Sequence, residues 1–329
     1  MSKTSQTLTP MSPKAFAVGI MTFFVIGCGS VDDSQLADPT NQLPDHQIWN
    51  SYNLYRYDPA PVNQWTPIVN QGQLVTNTPV LGQRPVLITH GLGGSIRTNT
   101  FSGLAQDLVD TQGATSILGF EYDSQDSIAN NGSFYTQALQ LLNPGADRLT
   151  WALIGHSMGG LVARAAVQNN TLPIAAQGNP LITLGTPHFG SAIANAAQES
   201  NSSALRGTFI GALNQGGFVN ADGNPSDVSL SAQGITDLRT DSVFLQNLNS
   251  NIANGGQVNY FTLAGTRTGN FQTLNDLLGV STNDGFVTIA SANPVELFPL
   301  ATAEVSADHV QLVNDPNTFS FIRQVLGNP

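Results

Sequence analysis

The chain has 329 residues, 11 Lys+Arg against 22 Asp+Glu, a formal net charge of −11 and one cysteine. Its only lysines are Lys3 and Lys14, so from Cys28 onward nine arginines face all 22 acids, a net −13. That balance excludes nucleic acid as a partner, because phosphate binding needs clustered positive charge, and a lone cysteine excludes a disulfide framework or a thiolate metal cluster. With 40% hydrophobic residues the chain can bury a sizeable core, as one large domain or two ordinary ones.

Lys3 and Lys14 bracket a polar stretch, after which Ala15–Gly27 (A-F-A-V-G-I-M-T-F-F-V-I-G) forms an apolar run of 13 residues. A membrane-spanning helix needs about 20 such residues, whereas this length suits the core of a signal peptide. The run ends in V-I-G-C at Val25–Cys28, which resembles the lipobox of bacterial lipoproteins. The resemblance implies cleavage before Cys28, diacylation of its thiol, and a lipid-anchored mature protein in a bacterial cell envelope. Gly29 in place of Asp implies, on the same grounds, the outer membrane. Residues 1–27 are thus expected to be a signal peptide, 28–47 a polar tether with two prolines, and 48–329 the folded domain.

Ile48–Pro67 carries Trp49, Tyr52, Tyr55, Tyr57 and Trp65 among polar residues and reads as an N-terminal extension or short antiparallel strands. Val86–Thr89 is a short apolar run bounded by Pro and Gly, the signature of a buried strand. Helical spacing follows over Thr100–Val109, strand over Thr115–Tyr122, helix over Ser133–Leu142 and strand over Thr150–Ile154. Leu161–Gln168 reads as helix, and Leu181–Leu184 and Val258–Leu263 as strands, with a terminal helix over Asn317–Leu326. Strand and helix in alternation predict a mostly parallel sheet with helices on both faces. The alternation breaks for 67 residues, Ser191–Gln257, with helical patches at Ala204–Leu213 and Val243–Leu248. Connections in such folds run about 2–6 residues, so this insertion is expected to form a helical cap over the end of the sheet.

G-H-S-M-G at Gly155–Gly159 matches G-x-S-x-G, in which a serine sits on a sharp strand-to-helix turn and the glycines let neighbouring chain approach. Five residues alone arise by chance, but here a strand precedes them and a helix follows. H-G-L-G-G at His90–Gly94 directly follows the Val86–Thr89 strand. A glycine-rich loop there can aim backbone N–H groups at the oxyanion of ester cleavage, and the N–H groups of Leu92 and Met158 are the candidate pair. Neither G-x-G-x-x-G nor a Walker lysine supports a phosphate loop.

Together with L-G-T-P-H-F-G-S (Leu184–Ser191), these motifs resemble bacterial lipases and esterases of the α/β-hydrolase superfamily. Asp237–Asn249, the N-D-G at Asn283–Gly285 and D-H-V-Q-L-V at Asp308–Val313 resemble the triacylglycerol-lipase-like group, over residues 84–325. The motif order is similar to eukaryotic GPI-inositol deacylases as well, so the resemblance implies the superfamily more firmly than the substrate.

Five histidines compete for the role of base. His46 lies beside the tether, His90 opens the oxyanion loop, and His156 should point away from Ser157 along the turn. His188 is the competitor, but the chain order of this fold is Ser, acid, His, which favours the late His309. Asp284 is the chosen acid, with Asp276, Glu304 and Asp308 as alternatives. Some related lipases hold calcium near this histidine; here no acid stands two positions beyond His309, so no metal and no cofactor are expected. The expectation is a monomeric carboxylic-ester hydrolase acting on lipid-like acyl esters, with Ser157 as nucleophile. An acyltransferase with the same triad, or a catalytically silent anchored binding module, are the alternatives.

Overall fold

The computed structural model describes residues 50–75, 81–82, 84–97, 99–112, 116–142, 149–169, 172, 174, 178–199, 229–256, 258–280, 283–298 and 301–327. The segments expected as signal peptide and tether, Cys28, and the helical patch expected at Ala204–Leu213 lie outside the described residues.

Nine strands form one sheet among the described residues. They are β1 Tyr52–Asp58, β2 Gln64–Asn70, β3 Gln73–Leu74, β4 Val86–Thr89, β5 Ile117–Tyr122, β6 Ala152–His156, β7 Asn179–Leu184, β8 Val258–Gly265 and β9 Ala301–Val305. The spatial order is β3-β2-β1-β5-β4-β6-β7-β8-β9. β5, β4, β6, β7, β8 and β9 are parallel, and β1–β3 extend the sheet as an antiparallel edge.

Every residue of β4, β5, β6 and β7 is buried, which is why they read as continuous apolar runs and not as alternating strands. Alternate side chains divide between two cores. Val86, Ile88, Ile154, Ile182 and Leu184 pack with Leu104 and Leu108 of α1 (Ser102–Gln112) and Ile322 and Leu326 of the terminal helix Pro316–Leu326. Leu87, Leu118, Phe120, Leu153 and Leu181 pack with Ile128, Tyr135 and Leu139 of α2 (Ile128–Leu142) and Leu161 and Val162 of α3 (Met158–Gln168). The sheet is therefore covered on both faces, as the alternation predicted.

Two expectations needed adjustment. α2 starts five residues before Ser133, through an Asn-Asn-Gly that helix propensity disfavours. Tertiary contacts override it: Asn131 Nδ2 donates to the Asp123 carbonyl at 2.9 Å, and a Cβ on Gly132 would lie 2.7 Å from that of Ala165 on α3. β9 was not anticipated, because A-T-A-E-V at a sheet edge is mostly small or polar and half exposed.

After β7 the chain forms α4 (Ala192–Glu199), α5 (Gln233–Asp237) and α6 (Val243–Ser250) before β8. The patch expected over Val243–Leu248 lies within α6. α7 (Gln272–Leu278), α8 (Ile289–Ala292) and the terminal helix, α9, complete the chain order.

Phe120 on β5 is fully buried and touches Tyr52, Tyr122 and Tyr135, with ring centroids 5.8, 5.6 and 5.0 Å away. Phe120→Ala should lower the unfolding free energy by about 3–5 kcal/mol in urea titrations. A loss below about 1 kcal/mol would mean that the antiparallel edge is not cohesive with the parallel core.

Candidate active site

Ser157 stands between β6 and α3 with φ 53° and ψ −128°, a positive φ that non-glycine residues seldom adopt. The crossing of chain around it enforces that strain. A Cβ on Gly155 would come within 2.5 Å of the Gly160 backbone, and one on Gly159 within 2.3 Å of the His90 carbonyl oxygen. The Ser157 N–H donates to the Leu184 carbonyl at 2.9 Å, which ties the turn to the end of β7.

His309 follows β9 and brings its Nε2 to 2.9 Å from Ser157 Oγ. Its Nδ1 donates to Asp284 Oδ2 at 2.7 Å, and its backbone N–H donates to the Asp284 carbonyl, also at 2.7 Å. Asp284 Oδ1 in turn accepts the N–H groups of Phe286 and Val287 at 3.0 and 2.8 Å. All three side chains are buried. The carboxylate is therefore fixed by the N-D-G turn, and it holds the imidazole with Nε2 directed at the serine. This row can draw a proton from a hydroxyl and stabilise the imidazolium that results.

The competing acids are occupied elsewhere. Asp276 accepts from Gln272, Glu304 lies at an exposed position of β9, and Asp308 accepts the N–H groups of Val310 and Gln311. His188 lies away from the row, between Arg164 and Thr183, while His46 lies outside the described residues. His156 does turn away from Ser157, but its Nε2 donates to the His309 carbonyl at 2.8 Å, a contact that sequence reasoning missed.

The His90–Gly94 loop abuts the serine: a Cβ on Gly91 would lie 2.7 Å from Ser157 Cβ. The Gly91 carbonyl accepts His90 Nδ1–H at 2.8 Å and the Gly94 N–H at 3.1 Å. Holding that carbonyl orients the trans peptide it shares with Leu92, whose N–H points the opposite way. Among the described residues neither the Leu92 nor the Met158 N–H has an acceptor. Further along, Gly93 N–H donates to Ser124 Oγ, and buried Glu121 accepts Ser95 Oγ–H and the Ile96 N–H, both at 2.7 Å. The loop is thus rigid before any ligand arrives, as donors for a developing oxyanion must be.

Ser157 and His309 open into a solvent-connected pocket whose empty space, open solvent included, is about 410 Å³. Its walls are Leu92, Phe286 and Val287 from the body, and Pro187, Ile193, Ala194, Ile235 and Leu238 from the segment between β7 and β8. Ser191 adds a hydroxyl, but that donates to the Phe286 carbonyl at 2.6 Å. Among the described residues no group of three or more His, Cys, Asp or Glu is placed to hold a metal ion.

The family model of the palmitoyl protein thioesterases matches residues 85–295, a span that holds Ser157, Asp284 and the His90–Gly94 loop. The chain belongs to the palmitoyl protein thioesterase family.

Curated proteins yield no match. Among solved structures, this thioesterase-family hydrolase is similar to the mature form of lipase BlEst2 from Bacillus licheniformis, at 21% identity over 83% of this chain and 97% of that chain, with a TM-score of 0.57. The propeptide form of that lipase aligns over 85% of this chain and 54% of that chain, at 20% identity and a TM-score of 0.56. A hydrolase from Pseudomonas aeruginosa PA01 aligns at 14% identity over 76% and 92%, with a TM-score of 0.51. These likenesses carry the α/β-hydrolase fold. The expected α/β-hydrolase superfamily is thus found, with the palmitoyl protein thioesterases as the family within it and a distant structural likeness to a Bacillus lipase.

Three histidines are buried with lowered pKa values, each chiefly by burial: His90, His188 (to well below its usual value) and His156 (to about 3). In the unfolded chain each takes up a proton near pH 6.5, which the folded chain refuses until a lower pH. The stabilisation is complete above about pH 6.5 and is lost as pH falls toward the folded values. Unfolding free energy should fall between about pH 7.5 and 5.5, by roughly 1 kcal/mol from His156 with losses of the same sign from His188 and His90, measured by urea titration. Constant stability across that interval would show that these imidazoles ionise in the fold.

Proposed function

We propose that the protein hydrolyses acyl esters and thioesters with apolar acyl chains through an acyl-enzyme on Ser157. The observation that carries the reading is the hydrogen-bonded row Ser157–His309–Asp284 opening into an apolar cavity. His309 Nε2 takes the Ser157 proton as Oγ attacks the acyl carbonyl, and Asp284 holds the tautomer and stabilises the imidazolium. The N–H groups of Leu92 and Met158 receive the oxyanion. His309 then protonates the leaving group, and water, activated in the same way, releases the acid. A thiol leaving group, with an ordinary pKa near 8.5, depends less on that protonation than an alcohol does. The same residues therefore serve both ester types.

The family membership supports the thioester arm and the apolar walls support the acyl chain. The segment between β7 and β8 supplies more than half of the apolar wall residues, in keeping with a cap over the site. The V-I-G-C sequence supports an enzyme anchored to a bacterial envelope membrane through Cys28. Cys28→Ser would then move the expressed protein from the membrane to the soluble fraction; equal membrane association of both forms would exclude the anchor.

Ser157→Ala should lower kcat by about six orders of magnitude, and Asp284→Asn by about four, on a p-nitrophenyl ester. Substantial hydrolysis by purified Ser157→Ala would overturn the reading. Across an acyl series, on both esters and acyl thioesters, kcat/KM should rise with chain length, by at most about fourfold per methylene, until the cavity is filled. A flat or falling series would exclude an apolar acyl site.

A further inference from the structure

His156 ends β6 immediately before Ser157 and is buried without lining the cavity. Its Nε2–H donates to the His309 carbonyl at 2.8 Å, and the two rings lie with centroids 4.9 Å apart. The edge of Phe101 packs against it at 6.2 Å. A carbonyl oxygen can only accept, so Nε2 carries the hydrogen. Burial, and then the neighbouring His309, pull the His156 pKa down to about 3, so the ring stays neutral at any ordinary pH.

His309 is thereby held at four polar groups: its N–H by the Asp284 carbonyl, its Nδ1 by the Asp284 carboxylate, its Nε2 by Ser157 and its carbonyl by His156. The peptide bond between His156 and Ser157 closes a circuit. It runs from Ser157 to His156, across to the His309 backbone, along the His309 side chain and back to Ser157 Oγ. This matters because His309 hangs from β9, an edge strand that pairs on one side only. Asp284 fixes the imidazole relative to its own turn, and His156 ties the His309 backbone to the chain immediately before Ser157.

We propose that His156 is a positioning residue that registers His309 against Ser157 through the His309 carbonyl. It touches no substrate and acts only through the base. The proposal rests on the triad reading above.

The test uses the purified chain, a p-nitrophenyl butyrate assay and thermal unfolding. His156→Leu should lower kcat by about 10²-fold with KM nearly unchanged, the cost of a base displaced by a fraction of an ångström. His156→Gln, which keeps a donor at similar reach, should lose about tenfold less. In a His309→Ala background no imidazole remains to be registered, so His156→Leu should change the residual rate by less than about twofold. Equal losses from His156→Leu in both backgrounds would show a merely structural role and overturn the proposal, as would full kcat in His156→Leu. If His156→Leu does not fold, His156→Gln and His156→Asn decide. At matched thermal stability the shorter Asn should be the slower, and equal kcat for both overturns the proposal. Activity in Ser157→Ala would instead sink the triad reading, which keeps the two failures distinct.

Discussion

The site depends on one steric constraint, the crossing of backbone at the end of β6. Ser157 holds a φ of 53° that would relax if the chain around it had room. It has none, because Gly155 meets Gly160, and Gly159 meets the carbonyls of Thr89 and His90, at distances no side chain would tolerate. That packing sets the serine outward at the head of α3 and brings the His90–Gly94 loop alongside it. Strain at Ser157 and rigidity of the His90–Gly94 loop are therefore one arrangement seen from two sides. Two buried parallel strands, β4 and β6, supply the stiffness that sustains it.

The loops that bring the acid and the base leave β8 and β9, at the far edge of the sheet, where fewer neighbours restrain the chain. The structure compensates with hydrogen bonds. Asp284 alone takes part in five of the contacts around the base: two from its own turn, two to His309, and one from its N–H to the Val287 carbonyl at 3.2 Å. Gly185 completes the fit, since a Cβ there would lie 2.8 Å from Asp284 Oδ2 and 3.1 Å from His309 Nδ1. The second residue of L-G-T-P-H is thus a glycine because the acid and base pass directly over it.

What the sequence made legible follows from how local each signal is. The elbow, the oxyanion loop and the central strands announce themselves in contiguous residues, since burial on both faces leaves uniform apolar runs. Asp284 and His309 could be chosen only by chain order, elimination and the family resemblance of their short motifs, because their meeting depends on the connections after two different strands. The role of His156 was invisible for the same reason: its partner is a backbone carbonyl 153 positions away, which no side-chain pattern encodes. β9 escaped because an edge strand need not be apolar, and the start of α2 because its Asn and Gly are explained only by contacts to the Asp123 carbonyl and Ala165.

Arg164 shows how the segment between β7 and β8 is tied into the body. Its guanidinium, fully buried on α3, has no carboxylate among its described contacts; it meets His188 Nδ1 at 3.1 Å, Asn249 Oδ1 at 3.0 Å and the Phe298 ring at 5.0 Å. Burial lowers its pKa to about 10, which still leaves it charged at neutral pH. A buried cation with only neutral partners is costly, so each partner must present an acceptor or a π face. His188 can do so only as neutral imidazole, with Nδ1 bare toward Arg164 and Nε2–H toward Thr183 at 3.1 Å. Asn249 repeats the link from α6 by donating to the His188 carbonyl at 2.9 Å. On the other side of the site, Asp237 at the end of α5 accepts the Ile128 N–H at 2.8 Å, at the start of α2. Between these two attachments lie Pro187, Ile193, Ile235 and Leu238, the apolar wall facing Ser157. The wall is thus fixed by polar groups at its margins while its cavity-facing surface stays apolar, so that under the proposed function an alkyl chain would meet no group competing for the ester's oxygens.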